Sequence, residues 1–141
     1  MTARRILLKA GFLLAGMLLC GACRGGGGKH QNEPLPPTEQ EVREIFDLYL
    51  KGDYRGYVDR MHSAEGKPED YKQQMADLYK QNARNTDENK AGGVIGYALG
   101  RIETGDSGRY ANVFLNITYR DSTVEEIILP MVYASDKWLL R

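Results

Sequence analysis

Residues 110–119 read Tyr110, Ala111, Asn112, Val113, Phe114, Leu115, Asn116, Ile117, Thr118, Tyr119, and every odd position from Ala111 to Tyr119 is apolar. Successive side chains leave opposite sides of a pleated strand, so a period of two marks a strand with one buried face. Shorter runs of the same kind flank it. Upstream, in Gly92 to Thr104, Ile95, Tyr97 and Leu99 alternate with Gly96, Ala98 and Gly100. Small residues on one side of a strand admit the close approach of a helix or another backbone. Downstream, Thr123 to Tyr133 carries Ile127, Leu129, Met131 and Tyr133 on one face, and Trp138 to Arg141 makes a last short strand. Gly105 to Gly108, Arg120 to Ser122 and Ser135 to Lys137 supply the turns between them. Pro130 has no amide hydrogen, which predicts a bulge or an edge at that point. The whole reads as a four-stranded antiparallel meander.

Upstream of the sheet the period changes to that of a helix. Thr38 followed by Glu41 is a capping box, with Pro36 and Pro37 barring helix before it. Val42, Ile45, Phe46 and Tyr49 then form one apolar face, and Lys51 and Gly52 suit the helix end. Asp53 caps a second, short helix carrying Tyr54, Tyr57, Val58 and Met61. Pro68 opens a third helix to about Gln81, with Tyr71, Met75 and Leu78 on one face, while Asn82 to Lys90 is polar throughout. Helices followed by strands predict an α+β fold in which amino-terminal helices pack on one face of the sheet.

The chain has 141 residues, with 19 basic and 19 acidic side chains. Three of the basic ones, Arg4, Arg5 and Lys9, precede residue 20, so the remainder carries 16 against 19, a net −3. That charge gives no surface for nucleic acid. The two histidines, His30 and His62, are too few for a site built on several. The two cysteines, Cys20 and Cys23, stand together at the end of an apolar run from Ile6 to Leu19. A basic start, a short apolar segment and a small-residue exit predict a secretory signal peptide over residues 1–22. Cys20-Gly21-Ala22-Cys23 resembles the lipobox of bacterial lipoproteins, which implies that Cys23 is acylated and becomes the new amino terminus. Two or more acyl chains hold a protein at a membrane, since each buried methylene contributes about 0.8 kcal/mol. From Cys23 to Pro37, four glycines and then three prolines predict a flexible tether. No acidic residue follows the cysteine before Glu33, whereas surface-exposed lipoproteins of the Bacteroidetes type carry acids there. The resemblance therefore implies a lipid-anchored envelope protein on the periplasmic side.

The helix with Leu48, Tyr49, Leu50, Lys51, Gly52, Asp53 and Tyr54, the short helix reaching Met61 and His62, and the terminal Asp136, Lys137, Trp138 resemble the nuclear transport factor two-like, or cystatin-like, superfamily. Within it, residues 38–141 are similar to a domain of unknown function found in small Bacteroidetes-type lipoproteins. The resemblance implies a curved sheet and helices forming a cone whose mouth can hold a small apolar molecule, or a homodimer formed through the sheet. Tyr49, Tyr57, Met61, Tyr97 and Trp138 are the candidate pocket residues, and core packing also accounts for such a stripe.

Catalysis would need converging polar groups. Ketosteroid isomerase-like enzymes of this superfamily use a carboxylate base with a tyrosine and a protonated acid. The acids of the sheet here, Glu103, Glu125 and Glu126, lie near strand ends. Asp59 and His62, one helical turn apart, are the alternative base and orienting pair. His62, Glu65 and Asp70 match no recurrent metal spacing, so neither metal nor cofactor is implied. Three readings stand open: a non-catalytic domain binding a small ligand or protein partner, an isomerase- or dehydratase-like enzyme, and a structural dimer joined through the face of Tyr110, Asn112, Phe114 and Asn116.

Overall fold

A computed structural model describes residues 33–90 and 92–141. The leader, Cys23 and the first part of the tether lie outside the described residues. The chain forms helix α1 (Glu39–Leu50), helix α2 (Tyr54–Asp59), a single 3₁₀ turn (His62–Ala64) and helix α3 (Glu69–Asn89). Strands β1 (Val94–Thr104), β2 (Tyr110–Tyr119), β3 (Val124–Ala134) and β4 (Lys137–Leu140) follow. They form one antiparallel sheet in sequence order, and the helices cover one of its faces.

Local chemistry sets the helix ends. The Thr38 hydroxyl accepts from the Glu41 amide, and the Glu41 carboxylate accepts from the Thr38 amide at 2.7 Å. Gly52 leaves α1 at φ +78°, where a side chain would be strained. Asp53 accepts from the Gly56 amide at 2.8 Å. A Cβ at Gly56 would lie 2.5 Å from that carboxylate, so the glycine inside α2 serves the cap.

β2 supplies the centre of the core. Val113 and Leu115 are fully buried, and Ala111, Ile117 and Tyr119 nearly so, beneath Val42, Ile45 and Phe46 of α1 and Tyr57 and Val58 of α2. The other face carries Tyr110, Asn112, Phe114 and Asn116, as the alternation requires. Phe114 is nonetheless only 6 % exposed, because the Arg101 guanidinium lies 3.5 Å from its ring centroid. β2 and β3 pair without interruption from Tyr110↔Val132 to Thr118↔Val124. Ser135 and Asp136 both adopt positive φ (51° and 58°), the backbone of a tight two-residue hairpin turn, and send the chain back as β4.

Four expectations need correction. The tether does not stay free as far as Pro37: Pro37 is buried, and the Leu35 carbonyl accepts from Trp138 Nε1 at 2.9 Å. α3 runs on through Asn82–Asn89, where no apolar face is needed because that half stands largely in solvent. Its inward stripe is Met75, Ala76, Tyr79, Ala83 and Thr86, while Leu78 is 53 % exposed. Small side chains on that stripe let α3 sit close against α2. β1 changes phase at bulges between Val94 and Gly96 and between Leu99 and Ile102, so Tyr97, Leu99 and Ile102 face the helices and Ile95 is 59 % exposed. Of the small residues in β1, Gly100 does serve close approach: a Cβ there would stand 3.0 Å from the Phe114 carbonyl oxygen.

The proline in β3 marks an edge without a bulge. Its carbonyl accepts from the Arg141 amide on the β4 side, so its missing donor would have pointed past the last paired residues of that side.

Candidate functional site

Between α3 and β3 the core opens. A cleft of about 350 Å³ is walled by Phe46, Tyr49 and Tyr57 on one side, by Tyr79, Asn82 and Thr86 of α3 on another, and by Ile117, Tyr119, Ile127 and Leu129 of the sheet. Met61 and Leu140, which bridge as neighbouring parallel segments, close one end. The volume lies at the lower end of the range for small-molecule sites, and the predominantly apolar lining is typical of them. A larger depression of about 710 Å³ runs along the exposed side of α1 between Glu39, Arg43, Asp47, Lys51 and Arg60. Charges of both signs line it in open solvent, so it lacks the apolar walls that would desolvate a ligand.

The tyrosines of the cleft pack as a cluster. Tyr57 meets Tyr79 at 5.3 Å and Tyr49 at 5.4 Å between ring centroids, and Tyr49 reaches Tyr79 at 6.5 Å. Such tilted and edge-on contacts suit the ring quadrupoles. Burial pushes the Tyr57 phenol well above the usual tyrosine range, and Tyr49 and Tyr79 upward as well, so all three are neutral donors at physiological pH. None of the three makes a side-chain hydrogen bond among the described residues, and none has its hydroxyl sealed from solvent. They are open to the cleft.

Three of the residues expected to line a pocket are therefore there: Tyr49, Tyr57 and Met61. Tyr97 and Trp138 are elsewhere. The Tyr97 hydroxyl donates to Asp47 at 2.7 Å, and its ring meets Phe46 edge-on. Trp138 packs on Tyr133 at 5.5 Å. Sequence reading missed Tyr79, Tyr119 and Thr86. Tyr79 and Thr86 lie seven apart on the α3 stripe with Ala76 and Ala83, a periodicity visible once small residues are counted as inward-facing.

Asp59 and His62 are not brought together. Asp59 is paired with Arg55 at 2.6 Å and Lys72 at 3.1 Å, and hydrogen bonding to Arg55 first of all holds its carboxyl below the ordinary range. His62 Nδ1 lies 2.7 Å from Glu65. These exposed pairs tie α2 to α3 and staple the 3₁₀ turn. Beside the cleft one acid meets a tyrosine: Tyr119 donates to Glu125 at 3.1 Å. Lys90 grips the same carboxylate and, with Tyr119, keeps it ionised. Among the described residues there is no group of three histidines, cysteines or acids that could hold a metal, and no helix long and apolar enough to cross a membrane.

No protein-family model matches this sequence, and no curated protein matches it. Among solved structures the chain is similar to a protein described as an NTF2-like transpeptidase from Campylobacter jejuni. The TM-score is 0.55 at 13 % identity, over 72 % of this chain and 94 % of that one. The likeness is one of fold, and it places the helices and meander of this chain in the NTF2-like cone arrangement.

Proposed function

We propose that this protein is a non-catalytic, lipid-anchored component of the bacterial cell envelope, on the periplasmic side, whose cleft between α3 and the sheet holds a small apolar molecule. The observation that carries this reading is an apolar cleft in which the hydroxyls of Tyr49, Tyr57 and Tyr79 are unclaimed among the described residues, while the nearby acids and bases are claimed by one another. The leader and Cys23 supply the address. Native mass spectrometry of the protein isolated without denaturant is expected to show a bound small molecule; repeated isolation with no adduct counts against binding. Cys23→Ser is expected to move the protein from the membrane to the soluble fraction, and an unchanged membrane fraction refutes acylation at that residue.

An isomerase- or dehydratase-type enzyme would have to use Tyr119 and Glu125. A carboxylate already neutralised by Lys90 is a poor base, and this favours holding over converting. A second reading, a dimer through the uncovered sheet face, draws support from Tyr110, Val124 and Ile128, each at least half exposed there. Sedimentation of the Cys23→Ser chain at high concentration decides it, a strict monomer removing the dimer.

A further inference from the structure

Tyr57 is only 7 % exposed, lines the cleft, and has no hydrogen-bond partner among the described residues. That hydroxyl is not sealed from solvent, so in the free protein solvent meets it, and a molecule that displaces the solvent loses affinity unless it pairs with the group itself. The remaining polar groups of the cleft narrow what that molecule is. The Thr86 hydroxyl donates to the Asn82 carbonyl of its own helix at 3.0 Å. The Tyr119 hydroxyl donates to Glu125, and the Pro130 carbonyl accepts from the Arg141 amide. Lys90 stands over the Tyr119 ring at 5.0 Å but is neutralised by Glu125. Among the described residues Arg141 is the one charged side chain on the cleft's lining, and its guanidinium sits 5.9 Å from the ring of Tyr110, which belongs to the opposite sheet face.

Among the described residues, what faces the interior is thus a set of neutral phenol donors, Tyr57 deepest with Tyr49 and Tyr79 beside it, among apolar walls and without an inward side-chain charge, while the neutral Asn82 amide stands at the exposed rim. An ion would lose its hydration there and find no counter-ion. A phenol is a better hydrogen-bond donor than acceptor, because its oxygen lone pair is shared with the ring. We infer that the cleft selects an uncharged apolar molecule that presents a carbonyl-type oxygen to the Tyr57 hydroxyl. This rests on the binding reading above and names the ligand class for the same site. The step is recognition only: no bond is made or broken.

The test uses the full chain carrying Cys23→Ser and four probes of one size: acetophenone, its acceptor-less isostere α-methylstyrene, benzoate and phenyltrimethylammonium, titrated by NMR. Acetophenone is expected to perturb the Tyr57 ring signals. Tyr57→Phe is expected to weaken acetophenone about tenfold, the worth of one hydrogen bond, while leaving α-methylstyrene within about twofold. Tyr79→Phe is expected to have a smaller effect in the same direction and serves should Tyr57→Phe fold poorly. Equal loss for both neutral probes, or no loss for acetophenone, overturns the assignment of the acceptor to Tyr57. Tighter binding of benzoate, lost in Arg141→Ala, or tighter binding of the ammonium probe overturns the uncharged class while leaving a binding cleft in place. Binding of none of the four overturns the inference and the binding reading together.

Discussion

Strand β3 is closed in opposite ways at its two ends. Over Met131–Ala134 it is paired with β4, Met131 and Leu139 are fully buried, Met61 bridges to Leu140, and the Leu35 carbonyl caps the Trp138 indole. Over Ile127–Leu129 the same strand faces a gap, with α3 on the far side and tyrosine rings in place of aliphatic packing. One end spends its apolar surface on the fold. The other leaves apolar surface and tyrosine hydroxyls that the fold does not use.

The largest expected difference between the ends is in core truncation. Met131→Ala should cost about 3 kcal/mol in urea unfolding, since its methylenes leave a cavity in a sealed core. Tyr79→Ala, on the wall of a gap already present, should cost about half as much; equal costs would mean that the cleft is filled in solution. Trp138→Phe comes next. Losing the indole hydrogen bond should cost about 1 kcal/mol and release residues 34–37, seen as faster amide exchange around Leu35 and Thr38. Unchanged exchange would show that Pro37 alone holds the segment.

The smallest effect at neutral pH is that of Tyr57→Phe on the free protein, and it should appear only in alkali. An unfolded tyrosine ionises near pH 10, while burial makes Tyr57 in the native state hold its proton to higher pH. Above that point the unfolded state has released a proton that the folded state still binds, so stability falls as pH rises. The contribution is fully present below about pH 10 and is lost progressively above it. Tyr57→Phe should therefore flatten the alkaline fall in melting temperature. An unaltered slope would mean that Tyr57 is not buried as described.

How far the sequence reveals this asymmetry depends on which residues carry it. The sealed end was legible: alternation in Ala111–Tyr119, the Thr38–Glu41 box and the turn residues Ser135 and Asp136 each have one strong local meaning. Pro130 was legible as far as a bulge or an edge, and its unbroken register with Asn112 leaves out the bulge. The open end was not. Its far wall is the polar half of α3, where Asn82 to Asn89 offers no hydrophobic period, and where the inward stripe uses Ala76, Ala83 and Thr86, residues that also sit comfortably in solvent. The bulges in β1 have no residue signature, so Ile95 was assigned to the wrong side. Tyr49 and Tyr57 could be placed on helix faces, but whether those faces meet a strand or a gap depends on how far α3 stands off, a tertiary property. Tyr97 shows the limit. Its spacing was right for the interior, yet Asp47 claims its hydroxyl on the other side of Phe46.

The central claim is that the gap between α3 and β3, and not the uncovered sheet face, is where this protein meets its ligand. The most direct measurement is the amide NMR spectrum of the Cys23→Ser chain, recorded before and after addition of the small-molecule fraction extracted from the cells that produce the wild-type protein. Shifts confined to Tyr57, Met61, Tyr79, Thr86 and Ile127–Leu129 are the predicted result. Shifts centred on Asn112, Phe114 and Asn116, with the cleft residues unmoved, would contradict it.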